Sequence, residues 1–452
     1  MNDFEKDLSL SRAVAEKAAE LGGTVYFVGG YVRDKILNIE NKDIDIEVHG
    51  ITPHALCEIL DSLGERITIG ESFGIYSVKG SAVDIAMPRC ERATGRGHRD
   101  FEMLVDPFIG ARKAAQRRDF TINALMMNVL TGEITDSFGG LDDLKNGVIR
   151  HVNSETFTED ALRVLRCAQF AARFEFSVAE ETVELCKMIS LSELSKERVE
   201  AELRKAMLKA KKPSAFFEVL RKVGKLDEWF PELSALIGVE QSPKYHAEGD
   251  VWTHTMMVLD EAAKLRELAS NPFAFMLTAL THDFGKAICT ERVNGVIHSY
   301  EHEIKGLPLI EAFLRRITNE TQTIKYVINL AENHMRPNTL AAHGSSVKAT
   351  NKMFDSSVSP RDLIYIAIAD HLGRICEGGA VSYENFLFAR LDEYNEMMSR
   401  PYVMGRDLVA AGLAPDESFS EALAYAHKLR LAGIPKEAAL KQTLAYAKSL
   451  KK

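Results

Sequence analysis

The most constraining feature of this chain is a pair of aspartates, Asp43 and Asp45, separated by one isoleucine. Alternate residues of a strand point to the same face, so these carboxylates could share one or two Mg²⁺ ions, which prefer oxygen ligands. Just upstream, Gly29 and Gly30 let the backbone approach a phosphate, and Arg33 adds a cation. A phosphate cradle beside a metal clamp is typical of phosphoryl or nucleotidyl transfer.

The aspartate spacing alone carries little weight. With 65 Asp and Glu among 452 residues, an acid-x-acid pattern arises about nine times by chance, mostly on solvated faces. Asp84, in a second strand-like segment, is a candidate third carboxylate for the same site, and a plain surface strand residue is the alternative.

Length and composition set the general class. A chain of 452 residues favours two to four domains, and 46% hydrophobic residues are ample for packed cores. No apolar run reaches eighteen residues, which predicts no membrane span, and the charged N-terminus does not resemble a signal peptide. Six scattered cysteines without a C-x-x-C pattern predict reduced thiols in a cytoplasmic protein.

The charge is unevenly distributed. A net charge of −9 disfavours a nucleic-acid partner, yet Arg89–Arg118 holds eight Lys and Arg against four acids. Lys196–Lys225 holds ten cations against four Glu, and the last 26 residues hold seven against one. Basic stripes on an acidic protein predict an RNA partner on one face, with ordinary exposed helix faces as the alternative for the last two segments.

The chain divides into four predicted parts. Residues 1–150 mix β signals with helices, including a helix from Thr52 through Leu63 and a hairpin around Gly80. From 151 to 238 and from 239 to 400, a 3.6-residue periodicity predicts two helical blocks, and residues 401–452 form a helical tail. The predicted fold class is therefore α+β, an α/β head followed by an all-α body.

Two polar clusters lie beyond the aspartate pair. Arg118 enters an apolar helix beside Asp119 and Asn123, where a triphosphate and a ribose could bind or a helix could simply be capped. Asp160 and Arg163 begin a strong helix three residues apart, and together they offer an acceptor and a donor for a base edge. A helix-surface ion pair is the alternative.

The predicted body carries a histidine–aspartate set typical of divalent-metal ligands. An HD dipeptide ends one apolar helix and an aspartate ends another, with further histidines on separate predicted helices. These residues are His254, His282, Asp283, His302, His334 and Asp370.

Six motifs in order resemble the bacterial class II tRNA nucleotidyltransferase/poly(A) polymerase family over about residues 24–235. The motifs are GGYVRD, DID, RRDFTINA, DSFGGLDDL…IR, EDALRVLR and ERVEAEL. The resemblance implies a β-polymerase-like nucleotidyltransferase head over 1–150 and a helical nucleotide-recognition and RNA-binding neck over 151–238. It also implies transfer of CMP and AMP from CTP and ATP to the tRNA 3′ end.

The resemblance assigns roles to individual residues. Asp43 and Asp45 would hold Mg²⁺, with Asp84 as the third catalytic candidate. The tract Lys196–Lys225 would face tRNA. Nucleotide phosphates and bases would be bound by Gly30, Arg33, Arg118, Asp160, Arg163 and Arg166.

Two segments bear on how closely the chain follows that family. Family members often carry a further Arg one turn after Arg166, where this chain has Gln169. A phosphate contact would then be lost or supplied from elsewhere. Residues 89–118 resemble the flexible loop with which the family switches from C to A, which favours CCA addition over CC addition.

The order H…HD…D over about residues 245–375 resembles the HD-domain metal-dependent phosphohydrolase superfamily. It implies a transition metal or Mg²⁺ held by His254, His282, Asp283 and Asp370, with His302 and His334 as ligands of a second metal. Candidate substrates are a 2′,3′-cyclic phosphate, a 2′-nucleotide or a damaged tRNA end. Some members of the superfamily have lost activity, so a structural site is the alternative.

The prediction is a template-independent CCA-adding enzyme with an HD phosphohydrolase domain and no membrane partner. Its rivals are an A-adding, CC-adding or poly(A)-adding relative, an HD nucleotide or cyclic-phosphate hydrolase with an RNA-binding head, and a tRNA-binding scaffold without catalysis. The sequence leaves the oligomeric state open.

Overall fold

A computed structural model describes residues 2–68, 74–93, 101–375, 382–413, 415 and 417–450. The chain forms two compact units. The first comprises Met1–Leu194 and Ala215–Lys225, and the second comprises Ser195–Ser214 and Leu226–Lys452. The finer predicted boundaries at residues 150, 238 and 400 stay predictions.

The first unit is built on strands with helices around them. Its elements are α1 (Asp3–Glu20), β1 (Thr24–Val28), α2 (Gly30–Ile36), β2 (Asp45–His49), α3 (Pro53–Leu63), β3 (Arg66–Thr68), β4 (Ile75–Val78), β5 (Asp84–Ala86), β6 (Arg89–Ala93), β7 (Phe101–Val105), α4 (Ala111–Gln116), a 3₁₀ helix (Thr121–Asn123), β8 (Met126–Asn128), β9 (Ile134–Thr135), α5 (Gly140–Asn146), β10 (Val148–Ile149), α6 (Ser154–Thr158), α7 (Leu162–Phe174), β11 (Ser177–Val178) and α8 (Glu180–Met188).

A seven-stranded sheet organises this unit, in the order β3-β4-β5-β2-β1-β8-β9. Strands β2 and β5 run parallel, and the other neighbours are antiparallel. Ile46 and Val48 of β2 are fully buried, and Glu47 between them is buried as well. The sheet therefore places the start of β2 beside the start of β5.

Several local predictions for the head are confirmed. The helix α3 begins after Thr52, whose hydroxyl accepts the Ala55 N–H, and it ends at Leu63. Strands β4 and β5 form the predicted hairpin, with the turn at Gly80 in a positive-φ conformation.

Three expectations for the head need correction. In place of the apolar helix expected after Arg118, the chain forms only the 3₁₀ helix Thr121–Asn123 and then enters β8. Strand β2 begins at Asp45, so Asp43 lies in the preceding loop and not on the strand. Residues 89–118, expected to be a flexible loop, contain the antiparallel pair β6 and β7 and the helix α4. Residues 94–100 of that segment lie outside the described residues.

The remaining elements are almost all helical. They are α9 (Lys196–Lys209), α10 (Ser214–Lys222), α11 (Leu226–Trp229), α12 (Pro231–Ser234), α13 (Val251–Leu265), a 3₁₀ helix (Arg266–Leu268), α14 (Pro272–Thr281), α15 (Lys286–Cys289), β12 (Thr290–Val293), β13 (Val296–Ser299), α16 (His302–Lys305), α17 (Leu307–Ile317), α18 (Thr321–Asn333), α19 (Arg336–Ala342), α20 (Val347–Ser356), α21 (Pro360–Leu372), α22 (Glu384–Ser399), α23 (Gly405–Ala410), α24 (Ser418–Leu431) and α25 (Lys436–Ser449).

The fold class is α+β, as predicted, but the part beyond residue 150 is not all-α. Strand β11 pairs in parallel with β10, and strands β12 and β13 form a two-stranded antiparallel hairpin. Its turn, Asn294-Gly295, has positive φ at both residues, a sequence typical of tight hairpins. Among the described helices, none combines the length and apolar character needed to cross a bilayer.

Candidate nucleotidyl-transfer and metal sites

Carboxylates gather at one edge of the head sheet. Asp45 begins β2 and Asp84 begins β5, and the parallel register pairs these two residues directly. Asp43 lies two residues before Asp45, and its backbone N–H donates to the side-chain oxygen of Asn41 at 2.9 Å. The structure therefore brings all three predicted carboxylates to the same region.

The pKa of Asp45 in this cluster is raised to about 6. Partial loss of hydration is the main cause, and the negative charges of Asp84 and Asp43 add to it, while Arg118 opposes it. Asp45 remains partly exposed to solvent, so the neighbouring negative charges crowd only its carboxylate. A site that disfavours its own negative charge is suited to a divalent cation.

Glu47 also belongs to this region, although it was not predicted from the sequence. Glu47 is buried on β2, its Oε1 lies 2.9 Å from His49 Nε2, and its Oε2 lies 3.7 Å from Arg118 Nη2. Burial opposes ionisation of Glu47, but His49 and Arg118 outweigh it and lower its pKa. The alternation Asp43, Asp45, Glu47 was the available signal.

Gly29 is required for the close approach of Arg118. It has φ of +66°, and a Cβ atom there would lie 3.2 Å from Arg118 Nη1 and 3.7 Å from Asp45 Oδ2. Glycine is favoured because it adopts this conformation freely and leaves room for the guanidinium. Arg118 is thereby held beside the carboxylates.

Arg118 also lines a cleft of about 370 Å³ that contains the predicted base-recognition residues. Four of the six predicted nucleotide-binding residues line it. The lining is Arg117, Arg118, Asp119, Asp160, Leu162, Arg163 and Arg166.

Intramolecular hydrogen bonds fix two arginines of the cleft, Arg166 and Arg163. Arg166 Nε donates to Asp119 Oδ2 at 2.7 Å, and Arg166 Nη2 also lies 2.7 Å from that oxygen. Asp119 is buried. Burial opposes ionisation of Asp119, but Arg166 outweighs it and lowers its pKa. Arg163 donates to the backbone carbonyls of Thr156 and Arg117, the latter at 2.9 Å. These contacts orient both guanidinium groups before any ligand binds.

Arg33 and Gly30 do not line the cleft. Arg33 is 3% exposed, donates from Nε to Asp34 at 2.7 Å and from Nη1 to Asn123 at 2.6 Å. The buried guanidinium favours a positioning role over direct phosphate binding, so the predicted contact stays a prediction. A Cβ on Gly30 would lie 3.5 Å from Arg33 Nη2, which is ordinary contact.

Gln169, at the position where the family often has Arg, is 1% exposed within α7 and is not among the residues lining the cleft. Its Nε2 has no hydrogen-bond partner among the described residues.

The predicted tRNA-facing tract Lys196–Lys225 uses several cations in intramolecular contacts. Lys196 donates to Asn319 at 2.6 Å, and Arg204 pairs with Glu200 and Glu320 at 2.6 and 2.8 Å. These contacts favour the ordinary helix-face interpretation for this part of the tract.

In the second unit, the histidine–aspartate set forms one buried cluster. His254 Nε2 lies 3.1 Å from Asp370 Oδ1 and 3.6 Å from Asp283 Oδ2, while His282 Nε2 lies 3.3 Å from the same Asp283 oxygen. Within this cluster, ligand atoms of His254, His282 and Asp370 all lie within 4.8 Å of one another.

The two remaining histidines meet the other oxygen of Asp283. His302 Nε2 lies 3.1 Å from Asp283 Oδ1, and His334 Nε2 lies 3.7 Å from it. The two imidazoles are 3.4 Å apart through their Nε2 atoms. Asp283 therefore bridges two groups of histidines, and all six predicted residues come together.

Backbone carbonyls set the tautomer of three of these histidines. A carbonyl only accepts, so each Nδ1 carries the proton and each Nε2 presents a lone pair to the cluster. The contacts are His282 to Ala279 at 2.9 Å, His302 to Ser299 at 2.9 Å and His334 to Ala331 at 2.6 Å.

Several buried atoms of the cluster lack the partners that buried polar groups normally have. Among the described residues, His282 Nε2 and both carboxylate oxygens of Asp283 have no well-aligned hydrogen bond, although Lys286 Nζ lies 2.7 Å from Asp283 Oδ2. Burial opposes ionisation of Asp283, but Lys286 and His282 hold its pKa well below the usual range. This donor set fits a divalent metal ion.

Residues around this cluster were not predicted from the sequence. Glu248 Oε1 lies 2.8 Å from His246 Nδ1 and 3.0 Å from His254 Nδ1, which orients both rings. Arg374, two residues beyond the end of α21, pairs with Asp370. The i,i+4 spacing of that pair was a signal, whereas the contact of Glu248 depends on tertiary structure.

Comparison with known proteins supports the class of the head. The "Poly A polymerase head domain" family matches residues 25–150, and the "Probable RNA and SrmB-binding site of polymerase A" family matches residues 175–237. The sheet with its carboxylate edge is thus a nucleotidyltransferase head.

Sequence relatives identify the family. A multifunctional CCA protein of Actinobacillus pleuropneumoniae is 37% identical over 324 residues, which cover 70% of this chain and 76% of the relative. Another, from Pasteurella multocida, is 42% identical over 291 residues, covering 63% and 67%. The chain belongs to the family of bacterial CCA-adding nucleotidyltransferases.

Solved structures share the fold at lower identity. A CCA-adding enzyme in complex with ATP aligns with a TM-score of 0.67 at 22% identity, covering 99% of this chain and 94% of that one. The Thermotoga maritima CCA-adding enzyme complexed with tRNA aligns with a TM-score of 0.64 at 21% identity, covering 98% of each chain.

Proposed function

We propose that this chain adds C, C and A to the tRNA 3′ end from CTP and ATP, using the carboxylate edge and the adjoining cleft of the head. The observation that carries the proposal is Arg118, which lies beside Asp45 and also lines the cleft. One cation thus connects the place where phosphate chemistry occurs with the place where a base is bound. Solved CCA-adding enzymes in complex with ATP, CTP and tRNA agree with these partners.

The residues at the carboxylate edge would have different roles. Asp43, Asp45 and Asp84 would hold Mg²⁺, and their crowded negative charge fits such an ion. Bound Mg²⁺ supplies positive charge that lowers the pKa of the attacking tRNA 3′-hydroxyl and offsets charge on the triphosphate. Arg118, oriented by Glu47, neutralises the departing pyrophosphate.

The cleft would select the base. Asp160 supplies an acceptor and Arg163 and Arg166 supply donors, a combination that matches the Watson–Crick edges of C and A. Thr156 and Asp119 hold the two guanidinium groups in fixed orientations, so the cleft reads the base with a rigid protein template.

The number and order of added nucleotides separate CCA addition from its rivals. The full chain is incubated with tRNA lacking one, two or three terminal nucleotides, and with CTP, ATP or both. We expect the fully truncated tRNA to gain two C and one A. A product ending in CC, a single A on tRNA-CC only, or a run of A would instead identify a CC-adding, A-adding or poly(A)-adding enzyme.

We also propose a metal-dependent phosphohydrolase in the second unit. The observation that favours it is the set of buried atoms at His282 and Asp283 that, among the described residues, have no well-aligned hydrogen bond. His254, His282, Asp283 and Asp370 would hold one divalent ion, a transition metal or Mg²⁺, and His302 and His334 with Asp283 a second. Such an ion activates water against a phosphate ester.

The chain's own residues would prepare this reaction. Glu248 orients His254, and Lys286 and Arg374 balance the charge of the two aspartates. Opening of 2′,3′-cyclic AMP to AMP, and phosphate release from 2′-AMP, each measured with Mg²⁺ or Ni²⁺, test the activity. A chain that binds the metal but hydrolyses neither substrate would have a structural site.

A further inference from the structure

A series of hydrogen bonds starts at the metal loop of the head. The backbone N–H of Asp43 donates to Asn41 Oδ1 at 2.9 Å, and Asn41 Nδ2 donates to Asp34 Oδ2 at 2.9 Å. Asn41 therefore uses both ends of its amide. One end fixes the backbone of a candidate metal ligand, and the other anchors it to helix α2.

The series continues through the buried arginine of α2. Arg33 donates from Nε to Asp34 Oδ1 at 2.7 Å and from Nη1 to Asn123 Oδ1 at 2.6 Å. The guanidinium carbon lies 5.1 Å from the ring centre of Phe170 and 4.7 Å from that of Phe174. These two rings of α7 hold the cation in place.

The last part reaches the cleft. Asn123 Nδ2 donates to Asp119 Oδ1 at 3.0 Å, and Arg166 Nε donates to Asp119 Oδ2 at 2.7 Å. Arg166 lines the cleft. Six hydrogen bonds in series thus connect a base-recognition residue with the backbone of Asp43.

Burial makes the middle of this series a unit, from Asp34 through Arg33 and Asn123 to Asp119. Asp34 is 0% exposed and Asn123 is 5% exposed, so their side chains cannot exchange protein partners for water without cost. Each amide donates at one end and accepts at the other, and Asp34 and Asp119 each accept through both oxygens. A displacement at one member therefore requires its neighbours to move.

We propose that Asn41, Asp34, Arg33 and Asn123 are positioning residues that couple occupancy of the base-recognition cleft to the placement of Asp43. The inference rests on the proposed function of the head and deepens it. A correctly bound base would hold Arg166, and through the series Asp43, in the arrangement that binds Mg²⁺. A wrong base would weaken the same arrangement.

The first test is a double-mutant cycle in the full chain. Asn41→Ala, Asn123→Ala and the double variant are compared in single-turnover addition of AMP to tRNA ending in CC. We expect each single variant to be slower by about 10- to 100-fold, since a buried hydrogen-bond partner is lost. We expect the double variant to be at most about threefold slower than the slower of the two single variants.

The second test needs no ligand. Hydrogen–deuterium exchange is measured by mass spectrometry in residues 41–45 of Asn123→Ala and, reciprocally, in residues 119–124 of Asn41→Ala. We expect exchange at the distant segment to rise severalfold in each case. If Asn123→Ala does not fold, the half-buried position of Asn41 keeps the reciprocal measurement available.

Asn128→Ala is the matched control. The side chain of Asn128 also holds backbone N–H groups of its own loop, those of Leu130 and Thr131, but lies outside the series. Rates that multiply in the double variant, with unchanged exchange at the distant segment, overturn the coupling. Retained addition in Asp43→Ala would instead refute the metal assignment, and the exchange result stands independently of it.

Discussion

The head and the second unit carry two candidate metal sites that are built in opposite ways. The head site consists of carboxylates at an open sheet edge, where partial loss of hydration and, after it, the like charges of Asp84 and Asp43 raise the pKa of Asp45 to about 6. The other cluster is buried, mixes imidazoles with aspartates, and already contains cations such as Lys286 beside Asp283. An open carboxylate edge would leave room for a triphosphate and a tRNA end, whereas a closed cluster of imidazoles and aspartates would enclose an ion bound there.

The largest effect on activity is expected from removing the carboxylates of the head site. The double change Asp43→Ala and Asp45→Ala should lower nucleotide addition by at least about 10³-fold, because several kcal/mol of charge stabilisation are lost. Incorporation of labelled AMP into tRNA-CC measures it. Phosphate release by the second unit is the internal control and should not change. Addition that survives would refute the assignment.

The matching test in the second unit is Asp283→Asn. The substitution keeps the size of the side chain but removes the charge that bridges both groups of histidines, so we expect phosphate release to fall by about 10²-fold. Metal content, measured by mass spectrometry of the purified chain, should fall with it. The exposed Glu301→Gln serves as control. Unchanged metal content would contradict the proposed ligand set.

A smaller effect is expected in the cleft. Asp160→Ala removes the acceptor for the base edge and should reduce the preference for CTP over UTP by about 10- to 100-fold. Values of kcat/KM for both nucleotides measure the preference. Because the carboxylate edge is untouched, the Mg²⁺ requirement should stay the same. A variant that discriminates as well as the parent would place base selection elsewhere.

The smallest effect concerns pH. Asp45 must lose its proton to bind a cation, and its raised pKa means that protons compete with the cation below about pH 6. We expect the Mg²⁺ concentration for half-maximal addition to rise by about tenfold per pH unit below that value. Asp84→Asn removes a like charge and also a proposed Mg²⁺ ligand. We therefore expect the Mg²⁺ requirement to rise at every pH, and the pH below which it steepens to fall as the pKa of Asp45 falls. An unshifted pH of steepening would exclude Asp84 as a neighbour that sets it.

Local sequence patterns predicted much of this molecule. The N-cap of α3, the hairpin at Gly80 and the neighbouring strand of Asp84 depend on turn chemistry and alternation, which act over a few residues. The order of motifs also predicted which histidines and aspartates would assemble, although 116 residues separate His254 from Asp370 along the chain.

Other features depend on tertiary packing and could not be predicted from the residues alone. Arg33 is buried because Asp34, Asn123 and two phenylalanines of α7 surround it, and the sequence gives no sign of that environment. Asp43 lies off the strand because Asn41 accepts its N–H in place of a strand partner. Glu248 contacts His254 only once the loop before α13 has folded.

The positions of the helix ends around the histidine–aspartate cluster have a further consequence. His282 follows the last residue of α14, His334 follows that of α18, and Asp370 lies in the final turn of α21. The carboxyl end of a helix carries about half a negative charge. Three helix macrodipoles therefore direct their negative ends at one point, where the field attracts a divalent cation and repels a phosphate anion that arrives without one.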